Sequence, residues 1–214
     1  MLKIRFKLRK VAVIISCLAV TTMISSCDEK EKEEEFDLVS DWFDGKITAT
    51  MENVSAWSVS KIVARTRGKQ NYIDVVSGNY SNGGFTLNLP STLPDECLEN
   101  TSLDFINFNF SDYEAKIQQI EFSYYENSNN NDFWLGTVWH YTKVNDTETS
   151  VLYWYADRDV TITGKDNTSK VSISFKKGWN RLYVTDNHTD GIFIYSTKPV
   201  DGCKWYFNQS GNSL

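Results

Sequence analysis

The sequence predicts an all-β protein, an antiparallel β-sandwich or barrel of about a dozen short strands, with two small β units in line as an alternative. Apolar and polar residues alternate with period two in many runs, which is typical of strands that have one buried face and one wet face. Aromatic residues make up 14% of the chain, and there are only three prolines. No segment has a convincing helical stripe, although residues 95–103 are compatible with one or two helical turns.

Residues 1–26 have the features of a bacterial export signal. Five basic residues and no acid precede an apolar run from Val11 to Val20, which is too short to span a bilayer. The segment Ile24-Ser25-Ser26-Cys27 resembles the lipobox of bacterial lipoproteins, where a signal peptidase cuts before a cysteine that carries lipid. The resemblance implies a mature chain that begins at lipidated Cys27. The alternatives are an uncleaved anchor and an ordinary signal with a coincidental cysteine.

Residues 27–40 are predicted to form an acidic tether. Residues 28–35 contain six acids and two lysines, a composition that favours an extended, solvated chain. An acidic run directly after the lipidated cysteine resembles the export signal of surface lipoproteins in Bacteroidota-type bacteria. This resemblance implies an outer-membrane protein exposed at the cell surface. In other Gram-negative bacteria, an aspartate after the cysteine would instead indicate retention at the inner membrane.

Residues 41–214 are predicted to form the β domain. Alternation predicts strands over 46–52, 85–89, 106–110, 119–124, 160–163 and 170–176. Other β-rich runs predict strands over 57–66, 72–80, 133–143, 150–156, 179–185, 191–196 and 204–208. Turn residues separate these runs, at Asn82-Gly83-Gly84, Asp166-Asn167, Lys177-Gly178 and Asp190-Gly191. Prolines interrupt the alternation over 90–104, where the two-unit alternative would place its boundary.

Four runs of turn and strand residues are spread along the domain, at Gly78–Leu87, Tyr155–Gly164, Lys176–Asn180 and Lys204–Phe207. Together they resemble uncharacterised all-β lipoproteins of Bacteroidota-type bacteria, over most of the chain. The resemblance implies a location and a fold class, and it carries no catalytic residues with it.

The charge of the mature chain argues against two classes of partner. Removing the five basic residues of 1–26 lowers the formal net charge from −6 to −11. An acidic surface repels phosphate, so we expect no binding to nucleic acid or to anionic lipid headgroups. The membrane is therefore expected as a partner through the lipid anchor alone.

The sequence has no pattern of a known catalytic or metal site. Only two histidines are present, and the HExxH, GxSxG and phosphate-loop patterns are absent, so we predict no catalytic residue, metal or cofactor. Cys97 and Cys203 do not belong to a CxxC pair. Outside the inner membrane a disulfide between them is permitted, and the alternative is two unpaired, buried thiols.

The best functional signal is a group of aromatic residues on two neighbouring predicted strands, namely Trp139, Tyr141, Tyr153, Trp154 and Tyr155. Period two places these side chains on both faces of the strands, which exceeds what a one-sided core requires. One interpretation is a platform on which sugar rings or apolar ligands stack. The alternative is an aromatic core with cross-strand pairs.

Three functions follow from these observations, in order of preference. The first is a non-enzymatic, surface-anchored β domain that binds a glycan, or a protein of the envelope or host. The second is a structural or adhesin-type component that assembles through edge strands. The third is a hydrolase, whose carboxylate pair cannot be located from sequence.

Overall fold

The structure is a computed structural model that describes residues 36–53, 55, 58–68, 71–100, 105, 107–128 and 131–209. The described residues all belong to one compact unit. They are all-β, with a single three-residue turn of 3-10 helix at Asp95–Cys97. Within these residues, no helix is long and apolar enough to cross a membrane.

The described residues form fifteen strands, of which twelve have five residues or more. This confirms the all-β prediction of about a dozen short strands. The strands are β1 Trp42–Phe43, β2 Lys46–Thr50, β3 Lys61–Arg67, β4 Tyr72–Ser81, β5 Gly84–Asn88, β6 Glu99–Asn100, β7 Asn109–Phe110, β8 Lys116–Ser128, β9 Asn131–Val144, β10 Thr147–Ala156, β11 Val160–Lys165, β12 Ser169–Phe175, β13 Gly178–Asn187, β14 Ile192–Ser196 and β15 Lys204–Gln209.

One continuous sheet contains all of these strands, in the order β2-β5-β4-β3-β8-β9-β10-β13-β14-β12-β11-β7. Three further strands attach to it, β1 on β13, β15 on β9 and β6 on β8. Among the described strands, β12 and β14 form the only parallel pair. The end of β2 also meets β15, where Glu52 N donates to Trp205 O at 2.9 Å. The sheet therefore folds over on itself in a sandwich-like arrangement.

Two hydrophobic cores lie on opposite faces of this sheet. The first core contains Tyr153 and Tyr155 of β10 with Trp179 and Tyr183 of β13. The second core contains Trp154 of β10 with Leu182 of β13. Because β10 and β13 contribute to both cores, the alternative of two separate β units in line is wrong for this molecule.

The alternation read from the sequence sets which side chains enter the first core. In β2, Ile47 and Ala49 are buried while Lys46, Thr48 and Thr50 are exposed. The neighbouring strand β5 repeats the pattern, with Phe85 and Leu87 buried. The turn before β5 contains Asn82 and Gly83, both with positive φ, as the Asn-Gly sequence predicts for a tight hairpin.

Two elements are shorter in the structure than predicted, namely the strand over 106–110 and the helical turns over 95–103. Only Asn109–Phe110 pairs as a strand, because a turn precedes it, in which Phe108 N donates to Phe105 O at 2.9 Å. That turn places Phe105 in the second core. The helical segment ends at Cys97, and the chain continues into the short strand β6.

Residues 36–40, predicted as the end of the tether, make contacts with the domain. Asp37 forms an ion pair with Lys198 at 2.6 Å, and its carbonyl accepts a hydrogen bond from Ser172 Oγ at 3.0 Å. Thr197 Oγ1 donates to the carbonyl of Val39. By these contacts, the segment belongs to the folded unit and lies against β12 and the residues that follow β14.

Trp205 holds several strands around the first core, so we expect Trp205→Ala to be strongly destabilising. The ring is 7% exposed and contacts Phe85, Phe122 and His140 with centroid distances of 5.3, 5.3 and 4.4 Å. Loss of a buried tryptophan costs about 3–5 kcal/mol. Urea unfolding followed by circular dichroism measures this change. The matched control is Phe133→Ala, because Phe133 is 52% exposed and should change stability by less than about 0.5 kcal/mol. Equal effects of the two substitutions would contradict the assignment of Trp205 to the core.

Candidate functional site

The sheet splits into a fork where β8, β9 and β10 meet. One stretch of β8 pairs with β9 as far as Phe122, which is opposite Val138. From Ile120 back toward the start of β8, the same edge pairs with β10 instead, and Ile120 lies opposite Tyr153. The long strand β8 therefore exchanges one neighbour for the other within two residues.

Pairing between β9 and β10 ends where Tyr141 lies opposite Ser150. Beyond that point, five residues have no cross-strand partner on the side of the fork, namely Glu121, Trp139, His140, Val151 and Leu152. In an antiparallel ladder, successive residues direct their backbone N–H and C=O groups to opposite sides. Both β9 and β10 therefore bring backbone polar groups to the fork that the ladder does not use.

A cleft of about 410 Å³ occupies this fork. Its polar and aromatic lining includes Gln119 and Glu121 from β8, Trp139 from β9, and Glu148 and Ser150 from β10. These side chains share the face of the sheet that carries the second core, because each alternates with residues of the first core. Neither glutamate forms an ion pair with a described residue. The cleft therefore combines an aromatic wall with hydrogen-bond acceptors.

Trp139 is the aromatic wall of the fork cleft, and it is 44% exposed. Tyr206 of β15 lies opposite it in register. Tyr141 contacts both residues, with ring centroids 6.3 Å from Trp139 and 4.8 Å from Tyr206. These three residues form an aromatic strip on the surface beside the cleft.

The predicted platform of five aromatic residues does not form as one surface. Tyr153 and Tyr155 are buried in the first core, and Trp154 is buried in the second. The physical reason is that β10 lies between the two cores, so residues Tyr153 to Tyr155 are covered on both faces of the strand. Only Trp139 and Tyr141 of the predicted set are on the surface.

His140 forms part of the inner wall of the cleft as a packed, neutral side chain. Its ring stacks on Trp205, with centroids 4.4 Å apart and planes 4° apart. Nδ1 lies 3.0 Å from the hydroxyl of Tyr153, and the ring also hydrogen-bonds to the backbone of Cys203. Burial first, and then the nearby positive charge of Arg181, lower the pKa of His140 to about 4, against the opposing effect of the backbone hydrogen bond to Cys203. The Tyr153 hydroxyl, whose pKa is raised mainly by burial, therefore stays protonated beside the neutral ring.

Behind His140, on the face of the first core, lies a smaller cavity of about 270 Å³ that is also lined by Tyr153 and Arg181. The guanidinium of Arg181 donates to both carboxylate oxygens of Asp41, at 3.1 and 3.0 Å. Tyr183 donates to the same carboxylate at 2.7 Å. Burial, followed by the neighbouring Asp41, raises the pKa of Tyr183. This network compensates the charge of Arg181 and fastens the N-terminal segment to β13.

Cys97 and Cys203 are free thiols in the structure, so the disulfide between them is not formed. Cys97 is buried in the first core, and Cys203 is partly buried against the same core. Burial raises the pKa of each thiol, and a nearby acid raises it further. Cys27 lies outside the described residues.

Sequence analysis did not identify Gln119, Glu121, Glu148 or Tyr206 as site residues. The local pattern places Glu121 and Tyr206 correctly on predicted strands, and alternation indicates their faces. Their association with Trp139 depends on β15 pairing with β9 and on the fork, and both are long-range contacts. No sequence signal marked either of them.

Comparison with known proteins identifies no relative of this chain. No protein-family model matches it, and neither the curated proteins nor the solved structures contain a significant match. Within the described residues, no group of three or more His, Cys, Asp or Glu side chains is placed to hold a metal ion.

The depressed pKa of His140 predicts a specific loss of stability in mild acid. In the unfolded chain, a histidine binds a proton below about pH 6.5, whereas folded His140 stays neutral down to about pH 4. The unfolded state therefore binds more protons in this window, and the free energy of unfolding falls as the pH falls. The loss approaches about 3 kcal/mol near pH 4 and levels off below it, where folded His140 is protonated as well.

The measurement is urea unfolding of wild type and His140→Gln from about pH 7.5 to about pH 4. Carboxylates titrate in both proteins, so the difference between the two curves isolates His140. We expect wild type to lose stability relative to the variant below about pH 6.5. Parallel curves over this range would show that His140 is not buried as a neutral ring.

Proposed function

We propose that this chain is a surface lipoprotein of the type found in Bacteroidota-type bacteria, anchored through Cys27 to the outer membrane. Its β domain acts outside the cell as a binding module without enzymatic activity, and its ligand is a glycan. The observation that carries the proposal is the fork cleft, where the exposed ring of Trp139 stands beside acceptor groups and unused backbone groups.

The chemistry of the cleft suits a sugar. The C–H faces of a sugar ring pack against an indole face, and this contact places the ring hydroxyls toward the cleft. Glu121, Glu148 and Gln119 then offer acceptors to these hydroxyls, and Ser150 offers both a donor and an acceptor. A few fixed polar groups beside an aromatic wall are the usual composition of a site for a small organic ligand.

The charge of the site favours a neutral glycan. No lysine or arginine lines the fork cleft among the described residues, and His140 is neutral at physiological pH. The mature chain also carries an excess of acidic residues. Sulfated or uronic glycans would therefore be repelled rather than neutralised.

Two other functions receive less support. Assembly through edge strands needs a long uncovered edge, yet the sheet path ends at the short strands β7 and β2. The longer candidate is the outer side of β4, which pairs with β5 only at Tyr80 and Ser81. A glycoside hydrolase needs one carboxyl group that stays protonated, which burial would provide. Glu121 and Glu148 are both only half-buried. A bound glycan that wild type slowly hydrolyses would favour the hydrolase.

Glycan-array screening of residues 27–214 carrying Cys27→Ala tests the binding function. We expect neutral glycans to bind, and we expect Trp139→Ala to weaken binding at least tenfold, about 1.4 kcal/mol, because the stacking surface is lost. Trp134→Ala is the matched control, since Trp134 is on the same strand and 51% exposed but does not line the cleft. The proposal fails if no glycan binds, or if both tryptophan variants bind like wild type.

The anchor is tested separately in cells. Cys27→Ala removes the acceptor thiol for lipid, so we expect the protein to leave the membrane fraction and become soluble after export. Stable anchoring requires the acyl chains, and the acidic tether offers no affinity for an anionic bilayer of its own. Membrane fractionation and protease accessibility of intact cells measure the two parts of the proposal. Continued membrane association of Cys27→Ala would contradict lipidation as the anchor.

A further inference from the structure

A second cleft of about 500 Å³ lies on the same face of the sheet as the fork cleft. Its apolar walls come from Phe105 and Phe108 before β7, Trp154 of β10 and Leu182 of β13. Both its size and this aromatic lining are typical of pockets that bind organic ligands. It lies at the margin of the second core.

The two clefts are adjacent, since Gln119 of β8 and Leu152 of β10 line both of them. Leu152 is the last fork residue of β10, and Gln119 lies opposite Trp154 where β8 and β10 pair. A ligand leaving the fork cleft along β10 therefore passes Gln119 and Leu152 and enters the second cleft. The two clefts together form one groove.

Trp154 provides the observation that points to a ligand in the second cleft. The side chain is only 6% exposed, and its Nε1 has no hydrogen-bond partner among the described residues. Buried indole nitrogens normally donate to an acceptor, as Trp179 Nε1 does to Pro90 O at 2.7 Å. The nitrogen itself is covered from solvent, so a ligand oxygen can accept this unused hydrogen bond only when neighbouring side chains of the cleft wall shift.

Other polar groups line the second cleft. Tyr195 brings a half-buried hydroxyl, and Ser169 brings another. Asp166 lines the cleft as well, with Oδ1 already accepting from the backbone of Thr168 and Ser169 at 2.8 and 2.7 Å. As in the fork cleft, no lysine or arginine lines the second cleft among the described residues.

We propose that the second cleft is a further subsite of the same groove, so that the protein binds a chain of several neutral sugar units. In this proposal Trp154 Nε1, once the cleft wall shifts to uncover it, donates to the unit farthest from Trp139. This inference rests on the proposed glycan-binding function and names its ligand as an oligosaccharide rather than a single sugar. Trp139 acts by stacking at one end of the groove, and Trp154 acts by hydrogen bonding at the other.

The test compares ligand lengths by titration calorimetry. The probes are three neutral series, each running from the monosaccharide to the hexasaccharide: α-1,4-linked glucose, β-1,4-linked glucose and β-1,4-linked N-acetylglucosamine. For a series that binds, we expect affinity to rise about tenfold or more between the shortest and longest members, since both subsites are then filled. Trp154→Phe should lower the affinity of the long members about fivefold and leave the short members unchanged. Trp139→Ala should weaken every length.

Tyr155→Phe is the matched control, because Tyr155 is the next residue of β10 and faces the first core. A second readout is independent of folding effects. The indole N–H signal of Trp154 in a two-dimensional NMR spectrum, identified by its loss in Trp154→Phe, should move when the hexasaccharide saturates the protein and stay in place with the monosaccharide.

The outcomes separate the two proposals. If no member of any series binds and the array is also negative, the glycan-binding function itself is wrong. If binding depends on Trp139 but is equal for all lengths, and the Trp154 signal does not move, only the second subsite is wrong. If binding weakens equally at all lengths in Trp154→Phe, that residue supports the fold and not the ligand.

Discussion

The structure depends on one constraint, which is that β10 and β13 have a hydrophobic core on each face. Most strands of an antiparallel protein bury one face and leave the other in water. Here Tyr153, Trp154 and Tyr155 are consecutive and all buried, so the run cannot alternate between core and solvent. The two halves of the sheet consequently fold over opposite faces of these strands, and a single sheet encloses two cores.

The fork follows from the same constraint. Near its start β10 forms an ordinary hairpin with β9, in which Tyr141 and Ser150 are the last pair. Farther along, β10 must join β8 so that Tyr153 and Tyr155 reach the first core, while β9 continues outward to pair with β15. A strand cannot keep both neighbours on one edge, so the sheet opens where it exchanges them. The cleft beside Trp139 is thus a by-product of packing two cores against one pair of strands.

Local patterns were sufficient to predict the strands but not their partners. In runs such as Lys46–Thr50 and Gly84–Asn88, alternation identifies the buried face of the strand. A shift of one residue in register would expose every apolar side chain of the run. The prediction of a full strand over 106–110 was wrong for a different reason. Phe105 and Phe108 pack on the second core from a turn, so the spacing of the aromatic residues there does not reflect a strand. The platform prediction also failed for Tyr153 to Tyr155. Period two correctly placed these aromatic residues on both faces, but the sequence contains no signal that both faces are covered.

The candidate site was predictable only in part, for a related reason. Trp139 was identified because aromatic residues on both faces of two neighbouring predicted strands exceed what a one-sided core requires. Glu121 and Glu148 join it only through the exchange of neighbours at the fork, which involves strands separated by a hairpin. Such long-range contacts depend on the complete packing of the cores, and the local pattern of β8 or β10 is the same whether or not a fork exists.

The N-terminal segment and the groove lie on opposite faces of the sheet. Asp37 contacts Ser172, and Asp41 contacts Arg181 and Tyr183, all on the face of β12 and β13 that belongs to the first core. Leu152, Trp154 and Tyr195 line the groove from the opposite face of the sheet. The segment that leads back toward Cys27 therefore runs along one face while the groove opens on the other. Under the proposed anchoring, the groove therefore lies on the side of the domain that the tether does not cover. An extended ligand can enter it without crossing the N-terminal segment.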